Sequence, residues 1–272
     1  MLSPAMRGVL AEGRQAYVAV DAKDGPHVTP ELYAAAGDDL WFLVAATTLK
    51  ARVVPANDRI AALVRTPGRA VVLSGPARTY DVRSPADVGR AVTDANVAKA
   101  LTGFLLRNAG DLAAFGRDAL SGRLGRRLPP RRILIRLTPT RAALLDGARL
   151  VTATGDWPGP ARTGEAGPLA GAADAVVGWS GPDGPLALPA RTDGSTDGST
   201  ATVPVALAAL AALPDEAPAC LVTDAYNDLG PAAKTGTLLR GSGRLAPDGT
   251  ATIDVERTTT WDGVVTTTAP RA

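Results

Sequence analysis

Residues 16–52 read AYVAVDAKDGPHVTPELYAAAGDDLWFLVAATTLKAR, and this stretch decides the fold class. Asp24-Gly25-Pro26 and Gly37-Asp38-Asp39 are turn signals that divide it into three short apolar runs, AYVAVDA, HVTPELYAA and LWFLVAA. Such runs joined by tight turns predict a three-strand meander. TTLKARVVPAND follows as a helical turn or two, with Thr47 or Thr48 as N-cap and Pro55-Ala56-Asn57-Asp58 as the stop. IAALVR and AVVLSGPARTYD, separated by Thr66-Pro67-Gly68, add two more strands. The order is three strands, a short helix and two strands, which predicts a β-dominated α+β fold.

Working outward, Ser84-Pro85-Ala86-Asp87 opens a segment of helical periodicity, carried by Val88, Val92, Val97, Leu101, Phe104, Leu105, Leu112, Phe115 and Leu120. An interruption near Asn108 and Gly110 suggests two helices, and the insert is placed at about 85–128. From 107 to 141 the chain is rich in arginine, which suits a solvated or interface face. RRILIRLTPTRAALLDG then alternates like a closing strand. The Gly- and Pro-rich stretch that follows predicts a linker over 151–171, between a first domain at 1–150 and a second at 172–272. The second domain appears as a degenerate copy of the first. Asp183-Gly184-Pro185 answers Asp24-Gly25-Pro26, and the sequence around Gly241 answers that around Gly75.

Composition narrows the chemistry. The 272 residues are 46% apolar and only 4% aromatic, so the cores are built from Ala, Val and Leu, and an aromatic base-stacking face is excluded. A formal net charge of +2 is too small to require nucleic acid or an anionic membrane as partner. Only four of the 29 cationic residues are lysines, at 23, 50, 99 and 234. With one histidine, His27, and one cysteine, Cys220, a disulfide, a Cys or His metal cage and most Ser-His-Asp arrangements are excluded. The longest apolar run, Leu40–Ala46, is far short of the ~20 residues that span a bilayer, so a cytoplasmic protein with no membrane span is expected.

The most informative constellation is Thr47-Thr48-Leu49-Lys50-Ala51-Arg52, directly after a strand. A strand entering a helix offers backbone N–H groups, hydroxyls and cations to one point, the requirements of a phosphate. The glycines of a Walker loop are missing, and no GxGxxG marks a dinucleotide fold in the first domain. The bland alternative for Lys50 is a solvated helix lysine. His27, beside a turn, is equally readable as a packed or exposed residue or as a proton-transfer group.

These residues and their order resemble the pyridoxamine 5′-phosphate oxidase-like family of FMN-binding split β-barrels. VAVDAKDGPHVTP, DDLWFLVA, TTLKARVV, Asn57-Asp58, RIAALVR and AVVLSGPAR carry the resemblance, which covers residues 15–81 best. It implies a split β-barrel, here duplicated as two fused barrel domains with a helical insertion. It further implies an FMN-dependent oxidoreductase acting on a small molecule. The alternatives are a deazaflavin- or haem-binding protein of the same fold, or a cofactor-free interaction module. Carried over, Thr47, Thr48, Lys50 and Arg52 become phosphate contacts. His27, Val28, Thr29 and Pro30 flank the isoalloxazine ring, largely through backbone groups. No catalytic residue follows from the resemblance, and no metal is implied.

The family binds its cofactor between two subunits, so a pseudo-dimer within one chain or a homodimer is expected. In the second copy Val203-Pro204-Val205-Ala206-Leu207 stands where the first has its threonine and lysine loop, so no phosphate site is expected there. Lys234 and Arg240 are candidates for reaching across to the first copy. Cys220 is expected to be a buried strand cysteine, and Asp224, Asn227 and Asp228 a polar turn.

Overall fold

The computed structural model describes residues 2–81, 83–120, 131–160, 173–192, 198–225, 235–262 and 265–270. A helix absent from the sequence reading comes first, α1 (Pro4–Glu12), capped by the Ser3 hydroxyl accepting from the Met6 amide. Then come β1 (Ala16–Ala22), β2 (Gly25–Glu31), β3 (Tyr33–Ala36), β4 (Asp39–Ala45), α2 (Leu49–Val53), β5 (Arg59–Thr66) and β6 (Arg69–Tyr80). Among the described residues the insert forms three helices rather than two, α3 (Pro85–Thr93), α4 (Ala95–Arg107) and α5 (Ala109–Leu120), and its expected end at 121–128 lies outside them. The additional break falls at Asp94, whose extended backbone and side-chain cap on the Asn96 amide start α4 afresh. The single closing strand of the sequence reading is two strands, β7 (Arg132–Leu137) and β8 (Arg141–Asp146), and a third, β9 (Arg149–Thr154), follows it. β9 therefore crosses the expected boundary at 150, and residues 161–171 of the expected linker lie outside the described residues. The second half contains β10 (Ala175–Gly181), β11 (Gly184–Thr192), β12 (Thr200–Thr202), α6 (Val205–Leu210), β13 (Glu216–Ala225), β14 (Thr235–Leu245), β15 (Thr250–Asp262) and β16 (Val265–Pro270).

Both halves are antiparallel sheets curled on themselves. In the first, the order is β2-β1-β5-β6-β7-β4-β3. Since only Leu32 separates β2 from β3, the two ends of this path are one interrupted strand. β6 is long enough to serve two partners: Arg69–Ser74 pair with β8, and Ala77–Tyr80 with β7. In the second half the order β12-β11-β10-β13-β14-β15 returns to β12, which pairs with both β11 and β15. The chain is thus β-dominated, two split barrels in tandem.

Strand registers relate the two halves. Ala22 faces Gly25 across a two-residue turn and Gly181 faces Gly184 across another, with both glycines at positive φ, +94° and +112°. A side chain there is disfavoured, which explains why both turns close on glycine. Ile60 pairs with Val20 and Gly75, and Ala219 with Trp179 and Gly241. The two short sequence matches therefore occupy equivalent registers.

β1 is apolar on both faces because both are buried. Val18 and Val20 point into the first barrel with Met6, Leu10 and Phe42. Tyr17 and Ala19 point into a second core that joins the barrels and includes Val28, Val176, Trp179 and Cys220. A smaller cluster of Trp41, Tyr80, Val97 and Ala100 seats the helical insert.

Candidate functional site

Alternation along β2 sends Val28 into the inter-barrel core and leaves His27, Thr29 and Glu31 together on the opposite face. Lys50, on α2, turns toward that face. Its side chain is only 3% exposed, its ammonium lies 2.9 Å from Glu31 Oε1, and it donates to the Thr29 hydroxyl. Burial of an ammonium requires such partners, and Glu31 and Thr29 supply them.

The remaining residues of the expected phosphate loop do not join this cluster. Thr48 is the N-cap of α2, accepting from the Ala51 amide and donating to the Ala45 carbonyl at 2.8 Å. Thr47 and Arg52 are exposed. On a helix of five residues Lys50 and its neighbours point in different directions, so the cation and the hydroxyls do not converge on one point. Pro30 lies half-buried on β2, paired with Tyr17. The structure therefore brings together His27, Thr29 and Lys50 and adds Glu31, whose place was legible from the same period-two pattern.

Electrostatics connect this face to the other barrel. His27 is pushed down to about 3, first by burial and then by the positive charges of Lys50 and Arg240. Among the described residues its buried Nδ1 has no hydrogen-bond partner. At neutral pH the imidazole is uncharged, so it does not act as the proton donor that an ordinary histidine pKa suggests. Arg240, from β14, is held below the usual guanidinium range by burial and by Arg257, and its Nε is likewise buried without a partner. Lys234 lies outside the described residues.

At the equivalent seam on the other side, apolar residues stand at the positions of the β2 cluster. By register, Leu186, Leu188 and Ala190 take the places of His27, Thr29 and Glu31. Ser74 takes the place of Arg240, and α6 buries Ala206 and Leu207 where α2 buries Lys50. The His27, Thr29, Glu31 and Lys50 cluster and Arg240 are thus found at one of two equivalent seams.

An anionic group fits this seam. Lys50 and Thr29 offer donors, Arg240 offers a charge, and two buried nitrogens lack partners among the described residues. Cys220 is fully buried and its thiol is pushed up to about 12 by burial, which makes it a packing residue. Asp224 accepts from Tyr17 at 2.6 Å and from Gln15, while Asn227 and Asp228 lie outside the described residues. Among the described residues no cluster of metal-ligating side chains occurs, and no helix is long and apolar enough to cross a membrane.

No family model matches the sequence, and no curated protein matches it. Solved structures similar to part of the chain include a conserved hypothetical protein from Mycobacterium tuberculosis, 20% identical with a TM-score of 0.38, covering 54% of this chain and 86% of that one. A heme binding protein from Mycobacterium smegmatis is 16% identical with a TM-score of 0.40, covering 57% and 59%. A pyridoxamine 5′-phosphate oxidase-related, FMN binding protein from Nostoc punctiforme is 14% identical with a TM-score of 0.36, covering 54% and 86%.

Proposed function

We propose that the chain is an FMN-dependent oxidoreductase acting on a small organic molecule, with one cofactor held at the polar seam between its two barrels. The observation that carries this reading is the one-sided placement of polar groups. His27, Thr29, Glu31 and Lys50 from the first barrel and Arg240 from the second meet at one seam, whereas its counterpart has Leu186, Leu188, Ala190 and Ser74. The sequence resemblance of residues 15–81 supports the same cofactor.

In this reading the Lys50 ammonium and the Thr29 hydroxyl hold the phosphate, with the Glu31 carboxylate displaced from Lys50. Thr47, Thr48 and Arg52 are left out of the anchor, because Thr48 is spent on the helix cap and the other two face solvent. Backbone groups of His27 to Pro30 flank the ring. The uncharged His27 imidazole places no charge beside it, and the apolar inter-barrel core beneath Val28 excludes water. When bound, FMN supplies the hydride-accepting chemistry, and the protein supplies anchorage and orientation.

A second reading, haem, is favoured by one observation: His27 stays neutral and its Nδ1 has no partner, the condition of an available axial ligand. The absorption spectrum of the purified chain separates the two. Flavin bands, or their appearance on adding FMN, support the first reading and a Soret band the second. Colourless protein that leaves added FMN free in solution overturns the flavin reading.

A further inference from the structure

Where the β1–β2 turn meets the second barrel there is a cleft of about 460 Å³, lined by Lys23, Asp24, Arg240, Glu256 and Arg257 among others. The corresponding place at the other seam shows what a charge-balanced version looks like. There Arg141, opposite Ser74 in register, donates to Asp183 at 2.9 Å and to the Ser74 hydroxyl at 3.2 Å, and its guanidinium is satisfied. In the cleft, Arg257 sits in the register position of Arg141 and bonds Asp24, the counterpart of Asp183, at 3.0 Å. Ser74 is replaced by Arg240. One cation has been added, and the single turn aspartate is already taken by Arg257.

Among the described residues Asp24, already bonded to Arg257, is the acidic group whose charge reaches that cation. Arg240 forms no salt bridge there, and its Nε is buried without a partner. The side chain faces His27 on the first barrel, Cys220 beneath it and Arg257 beside it. A neutral imidazole, a protonated thiol and a second guanidinium provide no counter-charge, and Asp24 is one carboxylate shared between the two guanidiniums. A half-buried guanidinium set beside another one is unfavourable unless an anion completes the site.

We propose that this cleft is a binding site for the carboxylate or phosphate group of a small anionic ligand, held by the Arg240 and Arg257 guanidiniums. The site lies at the same seam beside the Lys50 anchor, and Lys50, Thr29 and Glu31 do not line the cleft. Assigning its anion to the substrate of the oxidoreductase rests on the flavin reading, whereas the anion site itself does not. A substrate bearing such a group would be held by its anionic end in the cleft, with the remainder directed along β2 toward His27. The recognition is forked and charge-assisted, the geometry in which arginine excels.

The test is calorimetric titration of the full chain with inorganic phosphate, alongside titration with FMN, for wild type, Arg240→Ser, Arg240→Lys and Lys50→Ala. Serine is the residue that the other seam carries, so Arg240→Ser is expected to fold, which its thermal transition checks. Arg240→Lys retains the charge should the serine variant lose stability. The expected result is phosphate binding by wild type and Lys50→Ala, weakened at least tenfold in Arg240→Ser and partly kept in Arg240→Lys. Equal binding by wild type and Arg240→Ser overturns the site, as does loss of binding in Lys50→Ala alone. Phosphate binding that follows Arg240 while no variant binds FMN leaves the anion site standing and removes the flavin reading instead.

Discussion

The Asp21 carboxylate accepts a hydrogen bond from the Ser180 hydroxyl at 2.9 Å, and the two residues hold the same position in their respective barrels. Asp21 pairs with Pro26, and Ser180 with Pro185. A contact between equivalent positions marks the pseudo-two-fold axis of the tandem. Arg65 and Asp224, also equivalent by register, approach at 3.8 Å across the same axis. Around it, the Arg141–Asp183 and Arg257–Asp24 bridges are copies of one interaction, set in different surroundings.

Those surroundings predict unequal energies. The Arg141 side chain is 8% exposed, bonds Ser74 as well as Asp183, and stacks on Trp157, whereas Arg257 and Asp24 are about half exposed. Arg141→Ala is expected to cost about 1.5–3 kcal/mol in urea unfolding, the range for hydrogen bonds to charged groups. Arg257→Ala is expected to cost less than about 1 kcal/mol. Equal losses would show that the two bridges are not energetically distinct.

Packing at the axis predicts the behaviour of Cys220. A Cβ added at Gly178 would collide with Cys220 Sγ and with the Val28 side chain, which leaves no room for a methyl group. Gly178→Ala should destabilise the chain by about 1–3 kcal/mol through overpacking. In wild type, thiol reagents should label Cys220 only at the rate of unfolding, because the thiol is buried and protonated. Rapid labelling of the native protein contradicts this packing.

His27 predicts a pH dependence. Its pKa in the folded chain is about 3, below the ordinary value of 6.5, so the unfolded chain binds the proton first as pH falls. Stability is therefore lost progressively from about pH 6.5 down to about 3. His27→Leu, matching Leu186 of the other barrel, should flatten this slope between pH 6.5 and 4.5, where carboxylates contribute least. An unchanged slope would mean that His27 titrates normally.

The buried ion pair predicts coupling between Lys50 and Glu31. Lys50→Met leaves a partly buried carboxylate without its cation and should cost about 1–3 kcal/mol. Adding Glu31→Gln should recover part of that loss, because the stranded charge is removed. A double-mutant cycle of unfolding free energies that closes to zero would contradict the pairing.

The succession of strands in the first barrel was legible from turn signals and apolar runs, except that HVTPELYAA, read as one strand, is divided at Leu32 into β2 and β3; the repeat was legible from one matched glycine turn and one matched strand glycine. The division of β6 between β7 and β8 was not, because one continuous apolar strand carries no mark of a change of partner. Helix α1 escaped because its apolar residues, Met6, Val9 and Leu10, are too few to establish a period. At the site, His27, Thr29 and Lys50 were legible, but the direction of Lys50 was not. A five-residue helix gives no face, and only the fold shows that Lys50 points inward while Thr47 and Arg52 point out. Arg240 becomes a neighbour of His27 only through packing between barrels, which local sequence does not encode.

The most direct test of the account is the stoichiometry of FMN binding, measured by calorimetric titration of the full chain. Two equivalent seams exist and only one carries the Lys50–Thr29–Glu31 cluster, so one FMN per chain is expected. Lys50→Ala should weaken that binding by about 1.5–3 kcal/mol, the contribution of a charge-assisted hydrogen bond. Two sites per chain, no binding, or binding indifferent to Lys50→Ala would contradict a single cofactor anchored by Lys50 beside His27.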